Sequence, residues 1–532
     1  MRAGPPVRRC MREVSSIGDE HPLGDGGVEG RFDQRLWKDA QPLTGKTIGN
    51  EHERECSPVR ESSINPVGMV IPSVRCRFLG SDHAHGRDDA APSGAAMSGY
   101  QPVAIPAHLP SQLMITLWDF SWYVRTGAGE PFEDLERAVV EAVERGYNTV
   151  RICAMPFLLF GSGIDTSAIE LDRLGGEYAQ GVRWYDVKSP TVIDGRARLL
   201  ALFEACKRHG LFVILSSWEY QQSSSFAVES AWWDALKAVE PDDRVVRLAD
   251  ALADLIEFLA EHDLDDRVAY TELHNEVQFC HLTEGLISGR VDEKAAIVAL
   301  EPRLSRGIAR FHERQPDRPV TVNYAHVPVG AMRGVPAEVD VLVVHPYVYG
   351  VLDEVTAAFD LRGSLADFPR AAVDAAGILR PGAPSAAEWV LPAESAWKMD
   401  ATIVGKPEIF LHDWVDAEAF DRFLYERYES HRVEMARVLK IWLDTAADVA
   451  AARGIPVVFG EGWIGYTPLH GNFEEGPVGA EFCRLAMRES RRVGAWGTIV
   501  CSNAAPQHPM WNDIALQQDC NALFTESARH PR

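Results

Sequence analysis

Cysteine is scarce in this chain of 532 residues, with nine in all, an odd number. No two of them form a Cys-x-x-Cys pair. Both features argue against a disulfide framework and against a zinc knuckle. Reduced and mostly buried thiols are therefore expected.

Long apolar runs and an excess of basic residues are also missing. No stretch of eighteen apolar residues occurs, and the N-terminus lacks the basic start and apolar segment of a secretory signal. The formal net charge of −24 opposes binding to nucleic acid or to anionic membranes. These features predict a cytoplasmic protein whose partners are neutral or cationic small molecules.

Residues 1–98 have no sustained apolar periodicity and contain many Gly, Pro and Ser residues among scattered charges. Such a segment cannot bury enough apolar surface to offset the entropy lost on ordering, so a disordered N-terminal extension is predicted. Met97 directly precedes the first organised segment and is an alternative start. Residues 99–532 are predicted to form one large globular domain.

Short apolar strands alternate with amphipathic helices in this domain. The predicted helices include residues 132–145, 197–209, 245–261 and 293–314. The predicted strands are residues 113–118, 148–153, 211–216, 268–276, 319–324, 339–345, 456–461 and 496–501. Each strand with its following helix makes one unit of an α/β barrel.

Two connections are much longer than the usual loop. Residues 157–191 follow the second strand, and more than a hundred residues separate the sixth strand from the seventh. Residues 350–415 are predicted to form an inserted lid or subdomain, and residues 417–453 one long helix or a broken pair. Insertions of this kind shape the mouth of a barrel.

Two of the strands end in a glutamate. Glu276 ends the run Val-Ala-Tyr-Thr-Glu-Leu-His-Asn-Glu, and Glu461 ends Pro-Val-Val-Phe-Gly-Glu. Cleavage of a glycosidic bond needs a proton for the leaving oxygen and an anion or nucleophile for the developing oxocarbenium ion. Two carboxylates facing each other at one end of a barrel could supply both.

At these residues the sequence resembles glycoside hydrolase clan A, the retaining (β/α)8 enzymes, and within it the cellulase-like proteins. The resemblance implies a TIM barrel with long βα-loop insertions. It also implies that Glu276 is the acid/base, that Glu461 is the nucleophile, and that Asn275 contacts the sugar hydroxyl next to the anomeric carbon. A retaining pair implies carboxyl groups ~5 Å apart.

Arg151 lies in an otherwise apolar strand, where an unpaired charge would be costly, so it needs an anionic partner. A structural salt bridge would meet that need equally well. In the clan, an arginine at this place holds the nucleophile ionised. His345 and Tyr347 follow the sixth strand, and the clan implies that Tyr347, or otherwise Tyr349, hydrogen-bonds the nucleophile. A His-Pro pair on its own more often forms a turn than it provides a catalytic group.

Four tryptophans near strand ends could stack on the apolar face of a sugar, although any of them could equally belong to the core. They are Trp118, Trp218, Trp463 and Trp511.

Two other functions remain open from the residues. His274, Glu276, His281 and His345 could in principle surround a divalent metal ion, although their spacing is poor. A degenerate barrel could also bind carbohydrate without catalysis, although such a site would not need Arg151. The preferred prediction is a glycosidase that acts on small glycosides or oligosaccharides and uses no cofactor and no metal.

Overall fold

The computed structural model describes residues 100–287, 292–465 and 467–525, which all belong to one compact unit spanning residues 90–532. The predicted N-terminal extension, residues 1–98, lies outside the described residues.

Eight parallel strands form the centre of this unit. They are β1 (Leu113–Asp119), β2 (Thr149–Cys153), β3 (Phe212–Ser216), β4 (Val268–Glu272), β5 (Val320–Thr321 and Asn323–Tyr324), β6 (Leu342–Val344), β7 (Val457–Phe459) and β8 (Gly497–Ile499). Strands that follow one another along the chain are paired, and β8 pairs with β1. The first segment of β5 pairs with β4 and the second with β6, which closes the ring. The predicted (β/α)8 barrel is confirmed.

Twelve α-helices are present in the described ranges. They are α1 (Ser121–Val124), α2 (Leu135–Glu144), α3 (Gly195–His209), α4 (Ala231–Lys237), α5 (Arg244–Ala260), α6 (Glu293–Arg314), α7 (Val351–Ala358), α8 (Arg370–Ala376), α9 (Lys406–Trp414), α10 (Ala417–Arg453), α11 (Pro477–Arg492) and α12 (Ile514–Thr525). Carboxylates of Asp134, Asp194 and Asp416 cap the first turns of α2, α3 and α10. Residues 417–453 form one helix, which ends at Gly454 with φ 69°.

The core consists of strands that are buried on both faces and helices that bury one face. Every residue of β2, β3 and β4 is buried. Cys153, Cys206, Cys280, Cys483, Cys501 and Cys520 are buried free thiols. Within the described ranges, no helix combines the length and the apolar character that crossing a membrane requires.

Two insertions lie at the carboxyl ends of the strands. The connection after β2 contains a π-helix (Phe157–Gly161) and an antiparallel pair of strands (Ile169–Leu171 and Thr191–Ile193). The connection after β6 contains α7, α8, a 3-10 helix (Ala393–Met399) and α9 before the long helix α10.

All but the first of the predicted strands are shorter in the structure. β4 ends at Glu272 and β7 at Phe459, so both Glu276 and Glu461 lie in loops. Glu276 has φ 41°, a left-handed conformation that a strand cannot continue through. β5 is interrupted at Val322, between the segment that pairs with β4 and the segment that pairs with β6.

Candidate active site

A fully buried arginine lies at the centre of the barrel mouth. Arg151 from β2 donates to Glu272 Oε2 through Nη2 at 2.7 Å and to Glu461 Oε1 through Nη1 at 2.8 Å. Burial alone would lower the pKa of Arg151, but the charges of Glu272 and Glu461 outweigh burial and raise it. One guanidinium therefore pairs with two carboxylates, Glu272 and Glu461, through different edges.

Glu461 accepts hydrogen bonds on both of its carboxylate oxygens. Oε1 faces Arg151, and Oε2 accepts from the Tyr347 hydroxyl at 2.8 Å. That hydroxyl also lies 2.7 Å from Ser502 Oγ, which in turn accepts from the Gly462 N–H at 3.0 Å. This set of donors surrounds Glu461 as an anion would require.

Glu276 lies in a different environment. Its backbone N–H donates to Asn323 Oδ1 at 2.6 Å, which holds the left-handed turn. Its Oε2 accepts from Gln221 Nε2 at 3.2 Å, and its Oε1 lies 3.0 Å from His345 Nδ1. Burial raises the pKa of Glu276 to about 7, so a large fraction of it is protonated at neutral pH.

His345 lies between the two glutamates. One ring nitrogen of His345 and one oxygen of each of Glu276 and Glu461 all lie within 4.8 Å of one another. His345 Nδ1 is 3.6 Å from Glu461 Oε1. Burial lowers the pKa of His345 to about 4, so the ring is neutral at neutral pH and adds no charge between the carboxylates.

These three side chains could ligate a divalent metal ion by donor type and distance. Arg151 is an obstacle, because its guanidinium already occupies Glu461 Oε1 and repels a second cation. The metal set suggested by the sequence is different and is not assembled among the described residues. His274, a member of that set, has a partner at each ring nitrogen. Its Nε2 accepts from the Tyr220 N–H, and its Nδ1 lies within hydrogen-bond distance of the Asn275 carbonyl oxygen.

Asn275 is held by two side chains. Its Oδ1 accepts from Arg151 Nη2 at 2.6 Å, and its Nδ2 donates to Gln221 Oε1 at 2.9 Å. Gln221 therefore contacts both Asn275 and Glu276 and sets their relative position. Asn275 lines the cavity above the glutamates.

The cavity has a volume of about 790 Å³ and lies over the carboxyl ends of the strands. Glu276, Glu461, Asn275 and Tyr347 all line it. Arg151 and His345 are fully buried behind its wall. Aromatic side chains that line it are Phe120, Trp184, Trp218, Phe279, Tyr349 and Phe420.

Only one of the four predicted tryptophans, Trp218, lines this cavity, and its ring lies 4.6 Å from the Arg151 guanidinium carbon. Leu117 faces the cavity, so its neighbour Trp118 points to the outer side of β1 and packs on Phe132. The other two also lie elsewhere: Trp463 donates to the Val500 carbonyl, and Trp511 stacks on Tyr147 and Arg145.

Several site residues were not predicted. Glu272 carried the same signal as Arg151, a charge within an apolar strand. Gln221, Asn323 and Ser502 are polar loop or strand-end residues whose roles depend on contacts between distant parts of the chain. Their local sequence carries no comparable signal.

A family model described as sugar-binding cellulase-like matches residues 115–524. The chain belongs to this cellulase-like family. The resemblance to glycoside hydrolase clan A is thereby confirmed, and so is the enzyme class, glycoside hydrolase. A search of curated proteins finds no match to the chain.

Solved structures that are similar to this chain share little sequence identity with it. A candidate glycoside hydrolase from Parabacteroides distasonis ATCC 8503 superposes with a TM-score of 0.53 at 19% identity, over 78% of this chain and 93% of that one. A glycoside hydrolase family 5 enzyme from Prevotella bryantii B14 has a TM-score of 0.39 at 13% identity, over 80% of this chain and 100% of that one. An endo-β-1,4-mannanase from Thermotoga petrophila has a TM-score of 0.39 at 12% identity, over 79% and 78%.

Proposed function

We propose that this cellulase-like protein is a retaining glycosidase that cleaves β-linked glycosides by double displacement, with Glu276 as acid/base and Glu461 as nucleophile. The observation that carries the proposal is the approach of the two carboxylates, whose oxygens lie within 4.8 Å. Retaining pairs lie about 5 to 5.5 Å apart, whereas inverting pairs need about 6.5 to 9.5 Å to hold a water.

In the first step, Glu276 gives its proton to the glycosidic oxygen while Glu461 attacks the anomeric carbon. The raised pKa of Glu276, about 7, keeps a proton available at neutral pH. Glu461 loses its charge as it forms the glycosyl ester. Arg151 remains paired with Glu272, so this loss does not leave a buried cation without a partner.

In the second step, Glu276 is the base that takes a proton from water, and the water replaces Glu461 at the anomeric carbon. The Tyr347 hydroxyl and Arg151 stabilise the departing carboxylate, because both already donate to Glu461. Asn275 is placed for the hydroxyl next to the anomeric carbon, and its orientation is maintained by Arg151 and Gln221.

Small glycosides or oligosaccharides are the proposed substrates, and Trp218 is the proposed stacking surface. The cytoplasmic location expected from the sequence remains a prediction. Neither a bound cofactor nor a metal takes part in the proposed steps.

The test is a panel of 4-nitrophenyl glycosides of different sugars, followed by proton NMR of the first product anomer. Release of the β anomer from a β-glycoside supports the retaining mechanism. Release of the α anomer first would contradict it. Unchanged turnover in both Glu276→Gln and Glu461→Gln would show that these residues are not the catalytic pair.

A further inference from the structure

The insertion after β6 crosses the mouth of the barrel. We call residues 350–415 the bridge. Asp413 of the bridge accepts from the backbone N–H groups of Ala179 and Gly181, and Trp389 stacks on Tyr178 with ring centroids 3.9 Å apart. These three partners belong to the connection after β2, which lies opposite β6 in a ring of eight strands. The bridge and the connection after β2 therefore meet over the barrel mouth.

The cavity beneath the bridge has one end lined by buried residues and one end lined by exposed ones. The inner end is lined by buried residues, namely Asp119, Phe120, His412, Phe420, Asn503 and His508. The outer end is lined by Thr283, Glu284, Arg362, Gly363 and Ile403. Ile403 is 38% exposed there, and the Glu284 side chain is 57% exposed. This difference in burial indicates that the inner end is the closed one and that the outer end is the opening to solvent.

The two glutamates lie toward different ends. Glu276 is followed directly by the segment that reaches Thr283 and Glu284 at the outer end. Glu461 is linked through Tyr347 to Ser502, the residue before Asn503 at the inner end. The acid therefore lies on the open side, and the nucleophile on the closed side.

Two buried imidazoles at the inner end have nitrogens without hydrogen-bond partners among the described residues. They are Nδ1 of His412 and Nδ1 of His508. Burial and the nearby charge of Arg183 lower the pKa of both rings, so both are neutral at neutral pH. A buried polar atom without a partner is costly, and a sugar hydroxyl could satisfy it once the ring turns toward the cavity, because neither nitrogen has accessible surface in this conformation.

We propose that the enzyme acts as an exo-glycosidase, with the terminal non-reducing sugar held in the inner end and the leaving group in the outer end. This inference rests on the function proposed above. The sugar attacked at its anomeric carbon lies on the nucleophile's side, so any further sugar attached to its non-reducing side would have to occupy the closed inner end. The leaving group lies on the side of Glu276, where the cavity is open.

The test uses the 4-nitrophenyl disaccharide of whichever sugar the glycoside panel selects, either free or capped by a 4,6-O-ethylidene group at its non-reducing end. The free compound should release a monosaccharide first, leaving the nitrophenyl monosaccharide. The cap should lower kcat/KM by at least about a hundredfold, since it would collide with the closed end. Direct release of the capped disaccharide at the rate of the free compound would overturn exo action.

Binding separates a failure of this inference from a failure of the proposed catalysis. Both compounds are titrated into the Glu461→Ala protein by calorimetry. Binding of the free compound alone supports the closed inner end, whether or not Glu276 and Glu461 prove to be the catalytic pair. Equal binding of both compounds, or binding of neither, overturns the inference.

Single substitutions test the inner end itself. His412→Ala and His508→Ala should each raise KM for the aryl monoglycoside about tenfold, the size expected for one hydrogen bond in a site closed to water. His431→Ala is the matched control, because His431 is on α10, outside the cavity. Thermal unfolding of each variant shows whether it is folded. An unchanged KM in both folded cavity variants would contradict their role in sugar binding.

Discussion

Arg151 and Glu272 form a buried ion pair with several contacts, in which Nη2 lies 2.7 Å and Nε 3.0 Å from Glu272 Oε2. Both side chains are fully buried. Glu272 alone therefore balances the charge of Arg151. It also fixes the position of the guanidinium that donates to Glu461. This arrangement lets Glu461 change charge without disturbing the arginine.

The Glu272→Gln substitution should destabilise the fold by about 1.5 to 3 kcal/mol, because it weakens the buried charge-assisted hydrogen bonds to Arg151 while Glu461 remains as a counter-charge. Chemical denaturation measures the loss. The control is Glu136→Gln, which removes an exposed partner of Arg208 and should cost less than about 1 kcal/mol. Similar losses in the two variants would show that Glu272 is not needed to balance Arg151.

The activity should fall as pH rises through about 7. Glu276 must carry a proton in the first step, and burial raises its pKa from 4.5 to about 7. The expected kcat/KM for an alkyl glycoside is therefore lost on the alkaline side, as the proton leaves. The pH profile of the wild-type enzyme provides the measurement. A fall centred near the ordinary pKa of a glutamate would mean that Glu276 is not the acid.

Tyr347→Phe should lower kcat by about ten- to a hundredfold with a smaller change in KM, since it removes a donor that stabilises Glu461 as it departs. Tyr349→Phe is the comparison. Tyr349 lines the same cavity with its ring stacked 6.2 Å from that of Tyr347. A larger effect in Tyr349→Phe would favour the alternative tyrosine. Steady-state kinetics on one aryl glycoside distinguishes the two results.

The strands were predictable because each is a short apolar run between clear helices. Arg151 was predictable for the same reason, as a charge that an apolar strand cannot leave unpaired. Trp118 could have been excluded from the cavity by alternation, since its neighbour Leu117 faces inward. The interruption of β5 at Val322 depends on its two different partner strands, which a local pattern does not encode.

The loop residues of the site were beyond local sequence reasoning. Gln221 reaches Asn275 and Glu276 across 54 and 55 positions of the chain. His412 lines one end of the cavity because the bridge places α9 there, whereas His508 reaches the same end from the loop after β8. Contacts of this range depend on how the insertions dock on the barrel.

The N-terminal extension should be dispensable. A chain that begins at Met97 should keep a cooperative unfolding transition and its activity, because the predicted barrel begins at Leu113 and residues 1–98 show no apolar periodicity. Calorimetry and the aryl glycoside assay, compared with the full chain, provide the measurement. Loss of solubility or of cooperative unfolding would place the domain boundary earlier.

The two glutamates should fail in different ways when each is replaced by alanine. Glu461→Ala removes the nucleophile and should abolish turnover of every glycoside while leaving ground-state binding largely intact. Glu276→Ala should still react once with a glycoside that has a good aryl leaving group, because that group needs little protonation. The glycosyl-enzyme then accumulates, since no base activates water, and intact-protein mass spectrometry detects the adduct.

Azide distinguishes the roles of the two residues. It is a small anion that needs no base, so it should restore turnover in Glu276→Ala and yield a β-glycosyl azide from a β-glycoside. The wild-type enzyme with azide is the control and should give mainly the free sugar. If azide instead yields the β-glycosyl azide with Glu461→Ala and the α-glycosyl azide with Glu276→Ala, the assignments are reversed. The α product marks the variant that lacks the nucleophile, because azide then occupies the space left by that carboxylate and attacks the same face of the sugar.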